Sequence, residues 1–163
     1  MSSAGFAQVM PLGAQHEGEL ERLLLGLDMA SRIIRFNCAA SDAYLLQHLQ
    51  RALTTATWIA GVFIERRLCG LVEVYDLEPA GTVEAAFLVE QTCRRRGFGT
   101  ALLQAAIKWA TESDRTVFRM WFSRGNWPMR KLASNAQARL DLVSDEVLAD
   151  ITIAPVAGKG RPG

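Results

Sequence analysis

The chain has 163 residues, half of them hydrophobic, enough for one domain with a proper core and too few for two comfortable ones. A net charge of +1 and a pI near 7.8 give no global basic field, which argues against nucleic acid or an anionic membrane as partner and makes any anion site local. The three cysteines, Cys38, Cys69 and Cys93, form no C-x-x-C pair and have only His16 and His48 to assist them, so they read as reduced, cytoplasmic thiols rather than as structural zinc ligands.

The first residues, "MSSAGFAQVMPL", lack the basic and apolar regions of a signal peptide, and no apolar run approaches the roughly 20 residues a membrane span requires. Residues 6–12 predict a first strand, with Pro11 suited to its end. Leu20, Leu23, Leu24 and Leu27 follow at helical spacing and predict a helix ending near Gly26. "MASRIIRF" reads as a second helix or a helical turn, and "ASDAYLLQHLQRAL" as a helix capped by Ser41 or Asp42 with Leu45, Leu49 and Ala52 on one face. His48 reads as solvated on that helix.

"WIAGVFIE" and "LCGLVEVYDL" are β-branched and aromatic and predict a hairpin turning at Arg66-Arg67. "EPAG" is a turn, and "TVEAAFLV" a third antiparallel strand. After "CRRRGFG" a long helix is expected to bury Phe98, Leu102, Ala105, Ala106 and Trp109, leaving Thr100, Gln104, Lys108 and Thr111 as a polar stripe. "TVFRMWF" reads as a strand, "NWPMRKLASNAQ" as a helix with Asn126 at its cap and Pro128 in its first turn, and "ARLDLV" and "VLADITI" as closing strands. The order is roughly β, α, α, β, β, β, α, β, α, β, β, a mixed α/β (α+β) domain over residues 1–154, with a disordered tail at 155–163. Exposed edge strands between Leu140 and Ile153 would offer a homodimer contact.

The strand-to-helix turn at Arg94 to Gly99 carries the chemistry. Free amides at a helix start point outward with partial positive charge, glycines let a phosphate approach, and guanidinium groups pair with its oxygens. The turn lacks the Lys-Ser/Thr of a P-loop and has only two of the three glycines of a dinucleotide fingerprint. Three successive antiparallel strands before it are not a βαβ unit.

Arg94-x-x-Gly97-x-Gly99, after a strand and before "TALLQAAIKWA", resembles the Q/R-x-x-G-x-G/A acetyl-coenzyme A signature of the GNAT superfamily of N-acetyltransferases. The resemblance extends over most of the chain, through the helical prelude, three strands and the later "N-x-x-M-x-x-L-A" helix. More narrowly, "SRIIRFNCAASDAYLLQHL" and "VEAAFLVEQTCRRRGFG" are similar to segments of bacterial GNAT domains related to protein lysine acetyltransferases. The resemblance implies a mostly antiparallel twisted sheet flanked by helices on both faces, acetyl-CoA as cosubstrate, and transfer to a primary amine by direct attack in a ternary complex. The acceptor stays open between a protein lysine and a small-molecule amine. A non-catalytic acyl-CoA-binding module of the same fold is the alternative.

An alkylamine with a pKa near 10.4 is almost wholly protonated at neutral pH, so transfer needs a base. Glu84 shares a strand face with Ala86 and Leu88, and it matches the position of the family's general-base glutamate. The bland reading is a solvated strand carboxylate or an ion pair; Glu73 is the competitor, and Glu90 reads as a turn charge. The resemblance assigns the main chain of Leu88 and Val89 to the pantetheine arm. It assigns the turn of Arg94, Arg95, Arg96, Gly97, Phe98, Gly99 and Thr100 to the pyrophosphate. Asn126 would contact the cofactor, cap its helix, or do both. The tyrosine that many members use as general acid is replaced by Ala133, which leaves Ser134 or water; the usual Gly-Phe before the closing strands is replaced by "QARLDL". Trp58, Trp109, Trp121 and Trp127 read as core or partly buried, and Cys93 as incidental.

Overall fold

A computed structural model describes residues 7–155. Strand β1 (Ala7–Pro11) is followed by three helices, α1 (Glu17–Leu25), α2 (Met29–Phe36) and α3 (Asp42–Thr55), one more than the coarse order allowed, because "MASRIIRF" is a full helix. Strands β2 (Trp58–Ile64), β3 (Arg67–Leu77) and β4 (Thr82–Val89) lead into α4 (Phe98–Glu112), and β5 (Val117–Ser123), α5 (Trp127–Asn135), β6 (Arg139–Val143) and β7 (Glu146–Thr152) complete the chain. The first hairpin turns at Glu65–Arg66, since Arg67 already pairs with Ile64. The predicted tail lies almost wholly outside the described residues.

All seven strands form one sheet in the order β1-β2-β3-β4-β5-β7-β6. Every neighbouring pair is antiparallel except β4 and β5. The sheet separates two cores. On one face Val72, Val74, Val83 and Ala85 meet Leu102, Ala106 and Ala110 of α4, with Phe118 and Met120 of β5. On the other face Leu68, Leu71 and Leu88 meet the leucines of α1 and α3. This two-sided burial explains why β3 reads as almost continuously apolar.

Helix α4 is rotated from the expected face: Leu103 and Ala110 are buried, while Ala105 and Trp109 lie half-buried on the flank. A bulky indole would hold the helix off the sheet, so small residues line the contact and Trp109 instead stacks on Trp58, centroids 5.4 Å apart. Trp127 departs from expectation too, being 67% exposed with Arg130 over its ring. Only β6 of the closing strands is an edge, since β7 is paired on both sides.

Helix α2 has inverted polarity. Ser31 and Arg32 are buried, whereas Met29, Ile33 and Ile34 are exposed. Asp28 caps it through the Ser31 amide, and Asn37 ends it in the left-handed region at φ 57°. Its interior polar residues each tie it to another element. The Arg32 guanidinium donates to the carbonyls of Leu25, Leu27 and Ala40 and to Asp42, joining the end of α1 to the start of α3. Ser31 and Arg35 reach the candidate site.

Candidate active site

The site begins where the sheet parts. Strands β4 and β5 pair only through Thr82, Val83 and Glu84 with Val117, Phe118 and Arg119. Beyond Glu84, β4 continues on β3 to Val89, whereas β5 continues on β7 to Ser123, so a wedge opens between them. The carbonyl of Gly81 accepts from the amides of Thr116 and Val117 on the β5 side, and the amide of Glu90 donates to Cys69 on β3. Antiparallel alternation therefore turns the peptide groups of Phe87 and Val89 toward the wedge and those of Leu88 back to β3. Of the two main-chain positions expected to meet pantetheine, Val89 is the one that faces the opening.

The end of β4 runs through a 3-10 turn (Gln91–Cys93) to the α4 N-terminus. Arg94 Nε donates to the Val89 carbonyl at 3.2 Å, and its Nη2 to Ser31 Oγ at 2.8 Å, so this arginine braces the turn against β4 and α2. Arg95 and Arg96 are exposed, Arg95 in the left-handed region at φ 62°. Gly97 is the N-cap at φ 80°, and no side chain caps the helix. The first intrahelical bond runs from Ala101 N to Gly97 O, which leaves the amides of Phe98, Gly99 and Thr100 for an external acceptor. Phe98 is buried and fixes the helix start; Thr100 is exposed. These features fit a pyrophosphate.

Gly97 separates backbone strain from steric contact, because a Cβ there would meet nothing within 4 Å. Gly97→Val should distort the amide cradle through its left-handed φ alone, at a cost of about 1–2 kcal/mol. The expected result is a dissociation constant for coenzyme A raised roughly tenfold, read by calorimetry, with a fall in melting temperature of no more than about 2–8 °C. An unchanged affinity would mean that these amides do not hold the phosphates.

Side chains on the wedge's open face form a row across five strands. Register places Tyr75 of β3 beside Glu84, Glu84 beside Arg119, Arg119 beside Asp150 of β7, and Asp150 beside Arg139 of β6. Arg119 binds Asp150 through both ends, Nε to Oδ1 and Nη2 to Oδ2, each at 2.8 Å. Those hydrogen bonds hold the guanidinium proton more firmly than usual. Arg139 turns away from Asp150 to pair with Asp141. Glu84, half-buried, has no hydrogen bond or ion pair among the described residues.

Glu73, two positions along β3 from Tyr75, is in the opposite condition. It is 3% exposed and accepts from Arg35 Nη2 at 3.0 Å, from His48 Nε2 at 3.0 Å to both oxygens, and from the Tyr75 hydroxyl at 2.9 Å. Burial pushes its carboxyl up, but Arg35, His48 and Tyr75 together outweigh this and hold it below the usual carboxylate range. Burial, and then Glu73 itself, push the Tyr75 phenol up. A carboxylate stabilised by three donor residues is a weak base, so Glu84 is the better suited of the two. His48, expected in solvent, is only 15% exposed in its side chain and packs edge-on against Phe36. Its position was readable: Leu45, His48, Leu49 and Ala52 share one helix face.

Asn126 caps α5, its Oδ1 accepting from the Met129 amide at 3.2 Å, which leaves its amide nitrogen for another partner. Ala133 is buried in the core and Ser134, one residue on, is exposed. Glu90 is no turn charge: it is 4% exposed and pairs with Arg67 at 2.7 Å and Arg22 at 3.8 Å. Its carboxylate and the thiols of Cys69 and Cys93 lie within 4.8 Å of one another. Burial, then Cys93, push the Cys69 thiol up to about 11, and two guanidinium groups already neutralise Glu90, so the trio behaves as a structural hydrogen-bonded cluster.

Comparison with known proteins adds the following. The family model described as "Acetyltransferase (GNAT) family" matches residues 27–133. The fold is similar to that of the GNAT domain of S. lividans PAT, at TM-score 0.78 and 19% identity with 90% of each chain covered. It is similar to PaiA N-acetyltransferase from Thermoplasma acidophilum in complex with coenzyme A, at TM-score 0.70 and 13% identity over 90% of this chain and 99% of that one. It is also similar to RimL, a ribosomal L7/L12 alpha-N-protein acetyltransferase in complex with coenzyme A, at TM-score 0.75 and 14% identity over 93% and 96%. No curated protein sequence matches.

Proposed function

Because the chain belongs to the GNAT family of acetyltransferases, with acetyl-CoA as donor and an amine as acceptor, we propose that Glu84 is the general base of direct transfer to a primary amine of a protein lysine or a small molecule. The observation that carries this reading is the pairing of features at the wedge. An unpaired carboxylate stands where β4 and β5 part, and an uncapped helix start closes the end of β4.

In this reading the amides of Phe98, Gly99 and Thr100 hold the pyrophosphate, with Arg95 and Arg96 adding charge. Arg94 keeps the turn in place, and Gly97 and Gly99 let the backbone come close. The Val89 peptide orients the thioester arm, while Leu88 is held by β3, and the Asn126 amide donates from the other side of the wedge. Glu84 accepts a proton from the acceptor ammonium, directly or through a water. The freed amine forms the new C–N bond as the C–S bond breaks, and the leaving thiolate takes a proton from Ser134 or water. A thiol with a reference pKa near 8.5 leaves readily, so loss of the tyrosine at Ala133 weakens the acid step without removing it.

Thiol release from acetyl-CoA, followed against a panel of small primary amines and a panel of lysine peptides, tests the reading and identifies the acceptor class. Release that depends on one panel supports it. Tight coenzyme A binding with no release against either would overturn it in favour of a binding module.

A further inference from the structure

We propose that Asp150 is a positioning residue that keeps Arg119 off Glu84, so that the base stands unpaired at the wedge. The inference rests on Glu84 being the base. Arg119 lies between two carboxylates, Glu84 on one neighbouring strand and Asp150 on the other, both in direct register with it. Neighbouring strands lie about 4.7–4.9 Å apart, which puts either carboxylate within reach of the long arginine side chain. One guanidinium cannot serve two carboxylates through the same pair of donors. Here both donors go to Asp150, each at 2.8 Å. Asp150 has no other cation among the described residues, because its neighbour Arg139 pairs with Asp141 at 2.9 Å.

The row of Glu84, Arg119, Asp150, Arg139 and Asp141 thus carries three acids and two bases, with every charge paired except that of Glu84. The net negative charge is therefore delivered to the end of the row that meets the wedge, where a cationic ammonium must arrive. Most of the other charged and titratable groups near Glu84 are engaged with one another. Tyr75 donates to Glu73, which also holds Arg35 and His48, and Arg51 of α3 lies near enough to act on Tyr75 electrostatically. Neutralising Asp150 leaves Arg119 one remaining carboxylate to bind, and that carboxylate is the base.

The test is the pH dependence of kcat/KM in the full chain. Asp150→Asn should lower kcat/KM at neutral pH about tenfold and move the acidic limb down by about one pH unit, as expected for a carboxylate beside a bound arginine. Arg119→Gln in the Asp150→Asn background should restore both, and Asp150→Glu should keep the wild-type limb. A purely structural role for the pair predicts the opposite for the double variant, which would then be no better than Asp150→Asn. An unmoved limb in Asp150→Asn, where Glu84→Gln removes the limb, overturns this inference alone. Retention of the limb in Glu84→Gln overturns the base assignment and this inference with it. Should Asp150→Asn fail to fold, Asp150→Ser alongside Arg119→Gln/Asp150→Ser gives the same comparison.

Discussion

Glu84→Gln should reduce kcat by about 10²–10⁴-fold, the usual range for removal of a positioned base. The change is nearly isosteric and touches no hydrogen bond, because Glu84 makes none among the described residues, so folding and coenzyme A affinity should be retained. The size of the effect follows from the acceptor. At pH 7.4 an amine of pKa near 10.4 is neutral in only about one molecule in a thousand, and without the base only that fraction reacts. The residual rate of the variant should therefore climb with pH, tenfold per unit, where the wild type levels off. Stopped assays of thiol release from pH 6 to 9.5 would show it. A variant that kept the wild-type profile would remove Glu84 from the chemistry.

Glu73→Gln should act on stability instead. Removing one charge from a buried pair leaves Arg35 uncompensated in a site where its side chain is 14% exposed, at a cost of about 3 kcal/mol or more. For a domain of this size that corresponds to a fall in melting temperature of roughly 6–12 °C. The effect has a defined pH window. The Glu73 carboxyl is depressed in the folded state, so its contribution is full above the unfolded glutamate value near 4.3 and is lost as pH falls through the lower folded value. The gap between wild type and variant should thus close as pH falls through that lower folded value. Calorimetric melts at pH 7 and pH 3.5 check both statements, and equal melting temperatures at pH 7 would show that the network contributes nothing.

Local chemistry is what the sequence carried well. "MASRIIRF" corresponds residue for residue to α2, Ser41 and Asn126 are the caps expected of them, and the glycine turn opens an uncapped helix. Strand pairing at long range was not legible. The row from Tyr75 to Arg139 depends on a parallel register between residues 35 apart in the chain, and nothing local in "TVEAAFLV" or "TVFRMWF" specifies it. Long side chains with remote partners were misjudged for the same reason. Glu90 looked like a turn charge because Arg22 and Arg67 lie far away in sequence, and the bond of Arg94 to Ser31, 63 residues before it, could not be foreseen. Helix α2 defeats the usual rule outright, since its polar residues face inward to serve as connectors and its isoleucines face out.

The parting of β4 from β5 has one more consequence. From Ala85 to Val89 the strand is paired on one side only, so the middle of the sheet contains a stretch of unpaired backbone of the kind other sheets show only at their margins. Such a stretch is a template for any extended chain with amide groups, and at a margin it invites a strand from a second molecule. Here β5 flanks it, and a full strand with side chains on both faces has little room to enter. A thin diamide chain is narrower than such a strand. If the cosubstrate's arm lies there, as proposed, the interruption in the sheet would act as a filter on molecular width and turn a liability for aggregation into selectivity.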